Sequence, residues 1–307
     1  MRSTQAPTSS QIHRYSRKDG DPLVISPSRS MSHFDPPPLP AKGHPPTTRV
    51  LAWNIRAGGG RRIDGILDQI VRWAPQIIAL SEFRHTPPGH ALAQSLAEAG
   101  WSHQRTTTSS QHPARNGLLI AARSPLRGAS LRDPTPDEDR WLATHIASTP
   151  PISFAAIHIP NRSSGRKTAF LESALAVATR WRPGPALLIG DTNSGRIGID
   201  EEAPAFDRRE DRWMQAMEAA GWSDAFRLLH GDRREFTWYS PNGGNGFRLD
   251  QAFLNRHLQR RLLRVQHVWG AAATGDSPRR DALSDHAALL LDFAPPERLR
   301  TPRRQDT

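Results

Sequence analysis

The 307-residue chain has no cysteine. A disulfide scaffold, a thiolate nucleophile and a thiolate-held zinc are therefore excluded, and a reducing compartment suits the chain. No apolar run reaches the roughly 18 residues that a membrane-crossing helix requires, so no membrane association is expected. The first residues lack the apolar stretch of a secretory signal, which makes the cytoplasm the default location. There is no internal repeat. Gly58–Gly60 lacks the lysine and the strand-helix spacing of a Walker loop. No hairpin of clustered aromatics suggests insertion into lipid.

Positive charge is what the chain has in excess, with a formal net charge of +11. Residues 1–48 carry +3 of it and residues 297–307 carry +2, which leaves +6 to the body. A basic body favours polyanionic partners through counterion release and long-range steering, although surface arginines are commonly only solvated. Residues 1–48 are rich in Ser, Pro and Thr and cannot supply a core, so a disordered tail is expected there. Order is expected over residues 49–293, with residues 294–307 forming a second, Arg-rich disordered tail.

Between those limits, apolar runs of strand length alternate with helical patterns. Strands are expected at Val50–Ile55, Ile77–Leu80, Gly117–Ala122, Trp141–Ile146, Ile152–Ile159, Ala186–Ile189, Phe236–Tyr239, Phe247–Leu254, Leu262–Val268 and Ala287–Phe293. Helices are expected at Ile63–Trp73, His90–Ala99, Thr168–Arg180 and Asp211–Ala220, with Gly100 and Gly221 as stops. Several strands follow one another with no helix between them, which does not suit a purely doubly wound sheet. The pattern predicts an α/β (α+β) fold in which two mixed sheets pack face to face with helices outside.

The informative residues are polar ones placed where apolar strands end or are interrupted. Asn54 follows Leu51-Ala52-Trp53, Glu82 follows Ile77–Leu80, and His158 sits inside Phe154–Ile159. Asp191 and Asn193 follow Leu187-Leu188-Ile189-Gly190, Asp250 lies between Leu249 and Phe253, and Asp285-His286 precedes Ala287–Leu291. A buried carboxylate costs several kcal/mol unless a cation or hydrogen bonds compensate, so acids at so many strand ends need a shared reason. One rim of strand ends forming a single site supplies it. Carboxylates without thiolates select a hard cation, Mg²⁺ or Mn²⁺, and imidazoles supply proton transfer and oxyanion stabilisation. Taken singly, each has a plainer reading: a turn at Asp191, solvation of Glu82, a core histidine at His158, an ion pair between Asp250 and Arg248.

Taken in order, the motifs resemble those of the endonuclease/exonuclease/phosphatase superfamily. They are Leu51–Arg56, Ile77–Glu82, Asn116–Ile120, Ile157–Pro160, Leu188–Asn193, Thr237-Trp238 with Arg248–Asp250, and Leu283–His286. The resemblance spans residues 49–293 and implies a four-layer sandwich with the site at one edge of the two sheets. It implies Glu82 as principal ligand of Mg²⁺, helped by Asn54 and Asp285. Asp191 would orient or deprotonate the attacking water, and Asn193 would hold the phosphate or that water. His286, oriented by Asp250, would contact phosphoryl oxygens. His158 would stabilise the transition state or protonate the leaving oxygen.

Two positions depart from the pattern. His158 stands where members that repair abasic DNA carry Tyr, and Ser81 stands where Gln is commoner. Arg84, Arg162 and Arg248 are candidate substrate contacts, among further arginines beside the motifs (Arg56, Arg61, Arg62, Arg115, Arg166 and Arg196). Residues 239–250 resemble the loop and strand of exonuclease III-like repair enzymes. The expected substrate is nucleic acid, DNA before RNA. A lipid head group or small phosphoester, and a silent nucleic-acid-binding role, stay open.

Overall fold

The first and last strands among the described residues are neighbours. The computed structural model describes residues 47–128, 137–148, 151–181, 184–270 and 282–295, so the expected tails lie almost wholly outside the described residues. In chain order the elements are β1 (Thr48–Asn54), α1 (Ile63–Trp73), β2 (Ile77–Phe83), α2 (Pro87–Glu98), β3 (His103–Thr106), β4 (Gly117–Ala122) and β5 (Leu126–Gly128). Next come β6 (Trp141–Ile146), β7 (Ile152–His158), α3 (Lys167–Arg180), β8 (Ala186–Asp191), α4 (Arg208–Ala219), β9 (Trp222–Asp224) and α5 (Ala225–His230). The chain closes with β10 (Trp238–Tyr239), β11 (Gly246–Phe247), β12 (Asp250–Asn255), α6 (Arg256–Gln259), β13 (Leu262–Val268) and β14 (Ala288–Phe293).

Two six-stranded mixed sheets result, ordered β13-β14-β1-β2-β4-β3 and β5-β6-β7-β8-β12-β9. Each holds one parallel pair, β1 with β2 and β7 with β8. Parallel neighbours need a crossover, and α1 and α3 supply it. β14 returns antiparallel to β1, where Arg49 faces Asp292 and donates to its carboxylate at 2.7 and 3.0 Å.

Strand alternation builds the layers. Val50, Ala52, Ile77, Ala79, Phe154, Ala156, Leu187 and Ile189 meet between the sheets. The intervening Leu51, Trp53, Ile78 and Leu80 pack on α1 and α2, and Ala155, Ile157 and Leu188 pack on α3 and α4. Period-two strands with both faces apolar give three cores and hence four layers. This is the four-layer sandwich of two mixed sheets that the resemblance implies. No helix among the described residues is long and apolar enough to cross a membrane.

α1, β4, β6 and β13 keep both expected bounds, and the other expected elements shift by one to three residues at one end or both. α2 begins at Pro87 rather than His90, because proline is tolerated in a first turn. The single strand expected over Phe247–Leu254 is two strands: β11 pairs with β10, and β12 joins the second sheet. Between them the backbone N–H groups of Leu249 and Asp250 donate to Thr237 Oγ1 at 2.9 and 3.2 Å, in place of ladder bonds.

Candidate active site

In an open α/β layer, the carboxyl ends of parallel strands are where ligands bind. Asn54 ends β1, Glu82 is the penultimate residue of β2, His158 ends β7 and Asp191 ends β8. Register aligns His158 with Asp191 and Asp191 with Asp250. His286 precedes β14, the antiparallel neighbour of β1, and makes a β-bridge with Trp238. Both sheets therefore present their polar residues along one edge.

Asp191 is the hub. Its Oδ2 accepts from Asn54 Nδ2 at 3.0 Å, with His158 Nε2 at 3.5 Å and His286 Nε2 at 3.8 Å. Its Oδ1 accepts from the backbone N–H of Asn193 at 2.9 Å. Asn193 Nδ2 donates to the carbonyl of Ile159 at 2.9 Å, tying the end of β8 to the end of β7. Gly190 has to precede this aspartate: at its φ of +146° a Cβ would lie 2.0 Å from the carbonyl oxygen of Ile157.

Backbone conformation also marks this edge. Glu82 has φ +58° at a register shift in β2, and Asn193 has φ +46°. Left-handed φ is uncommon outside glycine and costs on the order of 1–2 kcal/mol. At Glu82 the bulge turns the carboxylate toward the site edge. There Oε2 accepts from the backbone N–H of Ala57 at 2.7 Å, and Oε1 lies 3.4 Å from Asn54 Nδ2.

The two histidines sit in opposite electrostatic situations. Burial pushes the His158 imidazole down to about 4, with Arg140 and His286 adding to the effect against Asp191. It is neutral at pH 7. Burial also opposes charge on His286, but Asp250, Asp191 and Asp285 outweigh it and raise the ring to about 10. His286 Nδ1 bonds Asp250 Oδ2 at 2.9 Å, which fixes a proton there.

Glu82 and Asp191, both acids, share one neutral donor, the Asn54 amide. Among the described residues no group of three or more His, Cys, Asp or Glu is disposed to hold a metal ion. The donors present are nonetheless all hard oxygens. The Asn54 amide is oriented by accepting from the Arg56 N–H at 3.0 Å. Ser284 Oγ donates to the Asn54 carbonyl at 2.5 Å, which sets Asp285 at the rim with 40% of its side chain exposed. Two under-compensated carboxylates around an amide suit a hard divalent cation.

The arginines depart from expectation. Arg248 was expected to touch substrate, but its side chain is fully enclosed and bonds Asp200 and Asp224. A guanidinium with no exposed surface cannot reach a phosphate. Its charged form is reinforced, since the two acids outweigh burial. Asp250, two residues on, pairs with His286 and not with Arg248. Arg84 donates to Asn116 Oδ1 at 2.6 Å. Arg162 is exposed but engages Glu210 at 2.7 Å, and Arg62 binds the carbonyls of Leu283, Ile55 and Arg56. Lys167 is a residue that motif reasoning missed. It is buried between Glu210 and the carbonyl of Asn193, and it supports the turn that carries that asparagine. Its only sequence signal is a lysine at the start of an apolar-faced helix.

With the geometry in view, the sequence matches the Endonuclease/Exonuclease/phosphatase family over residues 51–286. The chain belongs to that family. Among solved structures, this family member is similar to the 3′-5′ exonuclease NExo from Neisseria meningitidis, with TM-score 0.66 and 19% identity over 80% of this chain and 100% of that one. A variant of the 3′ phosphatase NExo from Neisseria, bound to product DNA hairpin, gives 0.67 and 19%, covering 80% and 99%. An AP endonuclease from Archaeoglobus fulgidus gives 0.65 and 21%, covering 80% and 99%. At such identities the likeness shows the fold alone. No curated protein sequence matches.

Proposed function

We propose that this family member is a Mg²⁺-dependent phosphodiesterase that hydrolyses nucleic-acid phosphodiester bonds, DNA before RNA. The observation that carries this reading is the Asp191 hub: one buried carboxylate within reach of Asn54, His158 and His286 at the shared edge of both sheets. Family membership supports phosphoester chemistry, and the DNA hairpin in the Neisseria relative supports the substrate class.

Glu82 and Asn54, with Asp285 at the rim, would hold the cation, with Mn²⁺ as a substitute. When bound it supplies Lewis-acid polarisation of a phosphoryl oxygen. Asp191 orients a water and accepts its proton, since its carboxylate is kept in place by Asn54 and the Asn193 N–H. His286, doubly protonated and braced by Asp250, points Nε2 toward developing negative charge. His158, neutral, serves as a hydrogen-bond partner; of its two expected roles, stabilisation fits a neutral ring and proton donation does not.

The test is nicking of supercoiled plasmid with Mg²⁺, Mn²⁺ or EDTA, beside Asp191→Ala. Metal-dependent nicking that the variant loses supports the reading. An intact plasmid, with a small chromogenic phosphodiester still hydrolysed, moves the substrate to a lipid or small phosphoester.

A further inference from the structure

Behind the Asp250–His286 pair lies a second acid–imidazole pair. His267, on β13, has a ring only 2% exposed. Its Nδ1 lies 2.8 Å from Glu235 Oε1, and its Nε2 lies 3.0 Å from the backbone carbonyl oxygen of Asp250. A carbonyl oxygen only accepts, and an ionised carboxylate only accepts. Both ring nitrogens therefore face acceptors, Glu235 on one side and the Asp250 carbonyl on the other. Glu235 is held below the usual carboxylate range because His267 and Arg233 outweigh burial, and Arg233 Nη2 stands 3.3 Å from its Oε2. The ring also packs on Phe226 at a centroid distance of 5.2 Å.

Topology gives this contact its meaning. β13 belongs to the sheet whose adjacent strand, β14, follows His286, whereas Asp250 begins β12 of the other sheet. The Asp250–His286 hydrogen bond spans the gap between the sheets, and His267 spans the same gap to the same aspartate. The geometry points to His267, held in place by Glu235, as a positioning residue that sets the distance between Asp250 and His286. It touches no reacting atom. The assignment rests on the reading of Asp250 and His286 as site residues.

Two isosteres separate the two ends of the ring. Gln at 267 keeps a donor near the Nε2 position for the Asp250 carbonyl, and Asn keeps one near Nδ1 for Glu235. His267→Asn is expected to lower kcat on the small chromogenic phosphodiester about tenfold or more with KM within about twofold, the range that slight misplacement near the chemistry produces. His267→Gln is expected to stay within about threefold of the parent. In ¹⁵N-histidine spectra, the downfield Nδ1–H proton of His286 should move in the Asn variant and hold in the Gln variant. That signal reports the Asp250 contact whatever the substrate is, so it separates failure of this assignment from failure of the nuclease reading. Equal kcat in the two variants, or an unmoved His286 proton in the Asn variant, overturns the assignment. Should the Asn variant not fold, Glu235→Gln carries the test: the same resonance shifts if Glu235 holds the ring, and an unshifted one overturns the proposal.

Discussion

Arg248 and Asp250 stand two residues apart in one short segment, and both are charged and buried. Arg248 is closed in by Asp200, Asp224 and the face of Phe226, 5.2 Å away. Asp250 faces a histidine that is itself close to a second carboxylate, in a group edged by half-buried Glu82, Asn193 and Asp285. The first arrangement is balanced in charge and closed to solvent, with only Nη1 of Arg248 lacking a hydrogen-bond partner and no exposed surface for a ligand. The second carries surplus negative charge, unusual backbone at Glu82 and Asn193, and a route to solvent. An ion enclosed by opposite charges away from solvent is structural, whereas surplus charge at an open rim is what the proposed chemistry would use.

The sharpest test of that contrast is Asp191→Asn. It preserves shape and removes the charge at the hub, so turnover should fall at least about 10³-fold, or ~4 kcal/mol in activation free energy, with little change in Tm. A variant that loses Tm instead would put Asp191 in the structural group. Arg248→Met should do the reverse. Leaving Asp200 and Asp224 buried without their cation costs about 3–5 kcal/mol in urea unfolding, while KM at a temperature where the variant is folded stays within about twofold. A large rise in KM would restore Arg248 as a substrate contact.

The same pair gives a pH signature. Burial opposes ionisation of Asp200, but Arg248 and Arg227 outweigh it and hold the carboxyl below its ordinary value. Folded protein then binds fewer protons than unfolded protein through that window. The stabilisation is complete above the unfolded value of about 4 and is lost as pH falls through the folded one. Urea midpoints measured from pH 7 to pH 3 should decline, and Asp200→Asn should flatten the decline. The smallest effect concerns Glu82. Glycine relieves its left-handed backbone, so Glu82→Gly should be about 1 kcal/mol more stable than Glu82→Ala, with both inactive in the plasmid assay. Equal stabilities would mean that the bulge relaxes once the carboxylate is gone.

Much of this was legible in the sequence. The central strands and the four longer helices announce themselves by apolar periodicity, and the polar residues ending those strands converge on one edge. What escaped was local and weak in signal. β3 reads His-Gln-Arg-Thr and is half-buried to exposed. β5, β9, α5 and α6 are three to six residues long. The break before β12 depends on the hydroxyl of Thr237, 12 residues upstream of Leu249. Arg248 looked like a phosphate contact because its partners, Asp200 and Asp224, are 48 and 24 residues away and carry no motif. Nothing local to Glu235 or His267 shows that they meet behind Asp250.

The adjacency of β1 and β14 also bears on the order in which the molecule is completed. β1 carries Asn54 and takes β14 as a neighbour, and His286 arrives just before β14. A ribosome releasing this chain from its N-terminus delivers Glu82, His158, Asp191 and Asp250 long before the imidazole that Asp250 is to brace. Until then β1 has an open edge, and Trp53 lacks the His286 carbonyl to which its indole N–H donates at 3.0 Å. An unfinished or clipped chain thus lacks both the lateral support of its founding strand and the cationic half of its site. β14 completes both the sheet around β1 and the placement of the His286 imidazole.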